Sequence, residues 1–304
     1  MYGRVFDVKR FALHDGPGVR VTVHLKGCPL SCQWCHNPES ISPEPLLMIR
    51  PELCVACGGC AGACARGAIS VRNETIATER PLCVACGACA AGCPANAREI
   101  CGVDMSAEDV AKLVLADETF FRAEDPSRRG GVTLSGGEPL SQSEFCFALL
   151  EILGRKGVHR VIDTSGHVPE SVMCGAAKHC ELFLYDLKHM DSAKHREYTG
   201  AGNELILSNL KKLSLLGSRI RLRVPFIPGI NSGDDNIRAA AEFASSLDGV
   251  CGVNILPYHR AAAGKHRRWG FNFALQDLME PTEAELLRAR EIFAERGLEA
   301  SIGG

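Results

Sequence analysis

Arg20-Val-Thr-Val-His-Leu-Lys-Gly27-Cys28-Pro-Leu-Ser-Cys32-Gln-Trp-Cys35 reads as a β-strand, Arg20 to Lys26, that turns at Gly27 into a loop of cysteines. A glycine at that turn lets backbone come close to a cofactor. Three thiols spaced Cys-x3-Cys-x2-Cys on one loop can wrap three irons of a cubane cluster, leaving the fourth iron without a protein ligand. Electron transfer does not need an open iron, whereas chemistry on a bound small molecule does. Zinc is the rival metal, but structural zinc takes four ligands and commonly pairs Cys-x2-Cys with a distant second pair.

Downstream lie two longer ladders, Cys54, Cys57, Cys60, Cys64 and Cys83, Cys86, Cys89, Cys93, each spaced Cys-x2-Cys-x2-Cys-x3-Cys. Leu53-Cys-Val-Ala-Cys-Gly-Gly-Cys-Ala-Gly-Ala-Cys64 is echoed by Leu82-Cys-Val-Ala-Cys-Gly-Ala-Cys-Ala-Ala-Gly-Cys93 at an offset of 29 residues, so two similar half-units pack as one small module. The second ladder ends Cys93-Pro94, as in bacterial ferredoxins; the first ends Cys64-Ala65, losing a rigid turn but no ligand. In two-cluster ferredoxins the fourth cysteine serves the other cluster. One [4Fe-4S] cluster is therefore expected on Cys54, Cys57, Cys60 and Cys93, and another on Cys83, Cys86, Cys89 and Cys64. Both would be fully ligated, which suits electron relay toward the open one. Cys101, Cys146, Cys174, Cys180 and Cys251 show no ligand spacing and read as small core residues or spectators.

The 304 residues, 46% of them hydrophobic, suffice for a sizeable core. A formal net charge of -2 with no dense run of Lys and Arg argues against nucleic acid or an anionic membrane surface as partner. No apolar run approaches the ~18 to 20 residues that span a bilayer, and Met1-Tyr-Gly-Arg-Val-Phe lacks the apolar core of a signal peptide. The expected home is the cytoplasm, where thiols stay reduced and dense cysteines signal metal rather than disulfides.

Outside residues 50–104, strand-like and helix-like runs alternate. After Arg20 to Lys26, strands are expected at Gly131 to Ser135, Arg160 to Thr164, Leu182 to Leu187, Ile220 to Val224 and Gly252 to Leu256. Helices are expected at Ala107 to Arg122 with Ser106 as N-cap, Glu144 to Arg155, Pro169 to His179, Glu204 to Leu216, Asp235 to Leu247 and Glu283 to Glu295. The pattern predicts an α/β fold with a parallel sheet, open or a partial barrel, whose working residues gather at the carboxyl ends of strands. Residues 1–49 and 105–304 make that unit, and 50–104 form a small ferredoxin-like α+β insert.

Cys28, Cys32 and Cys35, followed by His36-Asn37-Pro38-Glu39, resemble the radical S-adenosylmethionine superfamily. The resemblance implies a partial (βα)6 barrel in which the open iron chelates the amino and carboxylate groups of S-adenosylmethionine. The reduced cluster then cleaves that cofactor to a 5′-deoxyadenosyl radical. Trp34 and His36 are implied as neighbours of the cofactor. Ser135-Gly136-Gly137-Glu138-Pro139 is similar to the family's segment that receives the methionyl amino group; paired glycines let backbone approach, and a carbonyl or carboxylate suits an ammonium.

Asp15-Gly16-Pro17-Gly18-Val19-Arg20 reads locally as a tight turn. With the cysteine loop that follows, it resembles one branch, the glycyl radical enzyme activating enzymes, and the likeness extends over essentially the whole chain. Asp163-Thr-Ser-Gly166, Asp186-Leu-Lys188, Arg223-Val-Pro-Phe-Ile-Pro-Gly229 with Asn231, and Leu256-Pro-Tyr-His259 close successive strands in that branch's pattern. The resemblance implies that Lys188 pairs with the methionyl carboxylate, while Asp163 and Asp186 offer oxygens to a monovalent cation or to ribose hydroxyls. Arg223 and His259 are implied as cofactor contacts, and Asp15, Gly16, Pro17 and Gly18 as the hold on the partner's glycine loop. The implied partners are a large glycyl radical enzyme and a flavodoxin or ferredoxin reductant; the implied cofactors are S-adenosylmethionine and three [4Fe-4S] clusters. Two other readings compete. A radical S-adenosylmethionine enzyme acting on another substrate usually carries its extra cysteines after the barrel, whereas these lie between the first two strands. A plain iron-sulfur electron carrier has no use for the three-cysteine site.

Overall fold

The computed structural model describes all residues except 73–74, 126–127, 261–263, 267–268, 270, 272 and 304. Its strands are β1 (Tyr2–Ala12), β2 (Arg20–Leu25), β3 (Leu46–Ile49), β4 (Ile69–Arg72), β5 (Thr75–Thr78), β6 (Arg98–Cys101), β7 (Val103–Ser106), β8 (Gly131–Gly136), β9 (His159–Thr164), β10 (Leu182–Asp186), β11 (Ile220–Phe226), β12 (Val250–Pro257) and β13 (Ala300–Ile302). Nine of them form one mixed sheet in the order β13-β12-β11-β10-β9-β8-β2-β1-β7. The six expected strands, β2 and β8 to β12, run parallel in sequence order, as connections through helices require. The sheet stays open, with β13 and β7 at its edges.

Period-two alternation gives this sheet two unlike faces. In β11, Ile220, Leu222, Val224 and Phe226 are buried and Arg221, Arg223 and Pro225 only partly so. The apolar set joins Val21, Val23 and Leu25 of β2 and Val132 and Leu134 of β8 in the main core. Helices α3 (Ala107–Leu115) and α4 (Ser143–Arg155) cover that face, α4 through Phe145, Cys146, Leu149, Leu150 and Leu153. The opposite face carries Arg20, Thr22 and Thr133, and Arg20 Nε donates to Thr133 Oγ1 at 2.7 Å.

Some expectations are corrected here. Ala107 to Arg122 is not one helix: α3 stops at Leu115, and Glu118–Phe121 is a 3-10 turn, although Ser106 does cap α3 through the Asp109 N–H. The apolar period runs on to the buried Phe121, but Asp117 intervenes, buried against the Arg10 guanidinium. Strand β1 and helix α6 (Ser192–Thr199) carry little apolar signal; α6 buries only His195 and Thr199. Further helices are α5 (Glu170–Ala176), α7 (Glu204–Leu215), α8 (Asp234–Ser245) and α9 (Glu283–Ala294).

The cysteine-rich segment leaves the sheet after β2 and returns at β7. Strands β3 and β6 pair antiparallel with Leu46 opposite Cys101, and β4 and β5 form a hairpin. The sequence repeat persists in the backbone: α1 (Gly59–Gly62) and α2 (Ala88–Ala91) each follow a left-handed glycine, Gly58 and Gly87, and Ala56 and Ala85 also take positive φ. Leu47, Cys60, Ile69 and Cys89 make its small core.

Candidate functional site

The carboxyl ends of the parallel strands open into a cleft with about 1030 Å³ of atom-free space. Cys28, Cys32, Trp34, Cys35 and His36 line it from the loop after β2, Gly136 and Gly137 from the end of β8, Asp163 from β9, Asp186 and Lys188 from the end of β10, and Arg223 from β11. The two glycines have a steric reason. The Gly137 N–H donates to Leu25 O and the Glu138 N–H to Gly27 O, both at 2.8 Å, and a Cβ at Gly137 would collide with the Gly27 carbonyl. The end of β8 is thereby held against the base of the cysteine loop.

Charge in the cleft is paired. Lys188 Nζ lies 2.5 Å from Asp186 Oδ2, and Arg223 Nη1 lies 3.0 Å from Asp163 Oδ2, which also accepts from Ser135 Oγ at 2.7 Å. Burial works against the Lys188 ammonium, but Asp186 and the Cys32 thiol outweigh it and raise the Lys188 pKa. Burial pushes the Asp163 carboxyl up against the pull of Arg223, with Asp186 adding to the rise. Burial also takes the Cys28 and Cys35 thiols up to about 12 and raises Cys32. Such thiols are poor free nucleophiles at neutral pH.

Three expected site groups stand elsewhere. The Glu138 side chain does not reach the cleft: fully buried, it accepts from Thr164 Oγ1, from the Ser165 N–H and Oγ, and from the Leu140 N–H. Its carboxylate tethers β8 to β9, leaving the backbone of Gly136 and Gly137 to face the cleft. His259 points outward, 57% exposed, with Nδ1 3.9 Å from Glu280; its neighbour Tyr258 lines the cleft instead. Asp15 to Gly18 do not line the cleft. Asp15 Oδ2 accepts from Thr22 Oγ1 at 2.7 Å, and the Pro17 carbonyl accepts from Arg20 at 3.0 Å. Gly16 and Pro17 line a second cavity, of about 760 Å³, with Arg219, Arg221 and Arg223. Arg223 thus borders both spaces.

A strap from far along the chain crosses the cluster loop. Lys265 Nζ donates to Asn37 Oδ1 at 2.7 Å and to Glu39 at 3.0 Å, and His266 Nε2 lies 2.9 Å from the Cys35 carbonyl. Trp34 packs beneath it with Ile227, Tyr258 and Phe273.

In the cysteine-rich segment the two ladders interleave. Cys54, Cys57, Cys60 and Cys93 line one hollow of about 320 Å³, and Cys64, Cys83, Cys86 and Cys89 line another of about 350 Å³. Among the described residues no three or more His, Cys, Asp or Glu side chains gather tightly enough to hold a single metal ion. Cys146 is buried in the main core, and Cys251 packs with Val161, Leu182 and Leu184.

A family model described as a 4Fe-4S single cluster domain matches residues 14–202. The trans-4-hydroxy-L-proline dehydratase activating enzyme of Clostridioides difficile is 39% identical over 303 residues, 99% of each chain. The choline trimethylamine-lyase activating enzyme of Oleidesulfovibrio alaskensis is 36% identical over 290 residues, 93% of this chain and 92% of that one. The crystal structure of a domain of pyruvate-formate lyase-activating enzyme from Bacteroides vulgatus superimposes with a TM-score of 0.50 at 35% identity. It covers 58% of this chain and 99% of that one.

Proposed function

The chain belongs to the glycyl radical enzyme activating enzymes, a branch of the radical S-adenosylmethionine enzymes, and on that footing we propose which of its residues do the work and which clusters feed it. It installs a glycyl radical in a partner enzyme, using a [4Fe-4S] cluster and S-adenosylmethionine. Together, when bound, these supply reductive cleavage of the sulfonium to a 5′-deoxyadenosyl radical that takes a hydrogen atom from the partner's glycine.

The observation that carries the reading is that Cys28, Cys32 and Cys35 share one cleft with Gly136, Gly137 and the Asp186–Lys188 pair. The three thiols hold the cluster and leave one iron to the cofactor. The Gly136–Gly137 backbone receives the methionyl amino group, and Lys188, raised in pKa and so fully charged, meets the carboxylate. Asp163 and Asp186 serve ribose hydroxyls or a monovalent cation, and Trp34, His36 and Arg223 wall the site. Glu138 acts indirectly, by fixing the end of β8, and His259 approaches the cofactor only if it turns inward. Asp15 to Gly18 hold the partner's glycine loop from the second cavity, which meets the first at Arg223.

The interleaved quartets support two further [4Fe-4S] clusters, in an insert spanning about 50–104 within a partial barrel of 1–49 and 105–304. Two hollows, each ringed by four cysteines, are in keeping with this. A flavodoxin or ferredoxin supplies electrons in the reducing cytoplasm. No helix among the described residues is long and apolar enough to cross a membrane.

The test is anaerobic incubation with a candidate glycyl radical enzyme, reductant and S-adenosylmethionine. A doublet in the electron paramagnetic resonance spectrum of the partner, dependent on all components, is expected. Abundant 5′-deoxyadenosine without a glycyl signal on any candidate overturns the reading.

A further inference from the structure

Resting on the reading that both insert quartets hold clusters, we propose that the insert passes electrons in one fixed order. An electron enters at the quartet Cys54, Cys57, Cys60, Cys93 and leaves through the quartet Cys64, Cys83, Cys86, Cys89. It then reaches the open cluster's loop across a seam made by Cys101 and Lys26.

The two halves of the insert are near copies, so the repeat itself sets no direction. The attachment of the insert does. Strands β3 and β6 form a ruler that starts at the main sheet: Leu46 faces Cys101, Leu47 faces Ile100, Met48 faces Glu99 and Ile49 faces Arg98. At the near end Cys101 is buried, and the following Gly102 packs so closely on Lys26 that a Cβ there would collide with the lysine side chain. Lys26 is itself buried and donates from Nζ to the Glu39 carbonyl, and it stands two residues before Cys28. The rung next to this seam, Leu47 and Ile100, lines the hollow of Cys64, Cys83, Cys86 and Cys89. The far rung supplies Arg98, which lines the hollow of Cys54, Cys57, Cys60 and Cys93. Two residues along a strand is ~7 Å, so the Cys83 quartet is the inner one. Exposure agrees: Cys54 and Cys57 of the outer quartet are both exposed, whereas Cys86 is the single exposed thiol of the inner four.

Arg98 stands at the hand-over. Its side chain is buried and lines the outer hollow with Cys93, while Ile100, two residues along the same strand, lines the inner one. A fixed cation at this boundary favours the reduced, more negative form of each cluster. Each transfer moves one electron: the reductant protein loses it, the outer cluster gains it and passes it to the inner, and the inner passes it to the open cluster, with no proton moving.

The order is tested by freeze-quenched electron paramagnetic resonance after mixing the loaded enzyme with reduced flavodoxin. In Cys86→Ala the outer cluster should reduce at the wild-type rate while the signal of the open cluster is lost. In Cys57→Ala reduction of both remaining clusters should slow together. Dithionite should still reduce the open cluster in both variants, which shows that its site is intact. The reverse pattern overturns the order and leaves the relay standing. Wild-type reduction of the open cluster in both variants sinks the relay reading itself, and the order with it. Arg98→Met keeps every ligand, so it stands in where a cysteine variant fails to fold. It should lower the midpoint potentials of both insert clusters and leave that of the open cluster in place, whereas unmoved insert potentials overturn the hand-over.

Discussion

Lys188 holds its charge where burial opposes it, because Asp186 stands 2.5 Å away and the cleft places cysteine thiols beside it. Lys188→Met removes the cation we propose for the cofactor's carboxylate and strands Asp186. Truncating one partner of a buried charge pair costs about 2–5 kcal/mol, and anaerobic titration calorimetry with S-adenosylmethionine should show a loss of affinity in that range. His159 makes a pH prediction. Burial and then the nearby Arg20 take its pKa from 6.5 down to about 4. Between those values the unfolded chain binds a proton that the folded chain refuses, so stability falls as pH drops from 6.5 toward 4 and the loss levels off below that. His159→Gln should flatten this limb, read as a smaller shift of the urea midpoint between pH 7 and pH 5 than wild type shows. At this scale the sequence announces ligand type better than side-chain direction. Cysteine spacing and the Asp186-Leu-Lys188 run lead to the cleft, but nothing local tells that Glu138 spends its carboxylate on Thr164, Ser165 and Leu140, or that His259 faces out.

Helix α4 fastens the parallel strands through one apolar face, with Leu149 wholly buried near its middle. Leu149→Ala leaves a cavity between α4 and the sheet, and such truncations cost about 2–5 kcal/mol. A lower urea midpoint is expected with cofactor affinity retained, since the residue lies on the face away from the cleft. The strong period of α4 and the alternation in β11 made these elements readable in advance. Strand β1 and helix α6 were not readable for the matching reason: β1 is only partly buried, and α6 hides His195 and Thr199 alone. Their places are set by tertiary pairing, β1 between β2 and β7 in the sheet order.

Across the whole molecule, one nine-stranded sheet carries the cleft, and the strands of the cysteine-rich segment form two small sheets of their own. Strands β2 and β8 are direct neighbours in the sheet although the entire cysteine-rich segment lies between them in the chain. Replacing residues 47–100 by a short turn should therefore leave that pairing in place. Such a variant should still cleave S-adenosylmethionine with dithionite and fail with flavodoxin, measured as 5′-deoxyadenosine; equal loss with both reductants would mean the segment is needed to build the cleft. Composition and repeat set the cysteine-rich segment apart in the sequence, while the strap of Lys265 and His266 over the Cys35–Glu39 loop left no such mark, because it joins positions far apart in sequence.

Leu46 and Cys101 sit opposite one another, so the stretch between them begins and ends side by side. A loop with such coincident ends behaves as a cassette in descent. A lineage can acquire it, duplicate its half-unit or discard it in one genetic event without retuning the strands on either side. The cleft and the cysteine-rich segment are thus free to evolve at different rates.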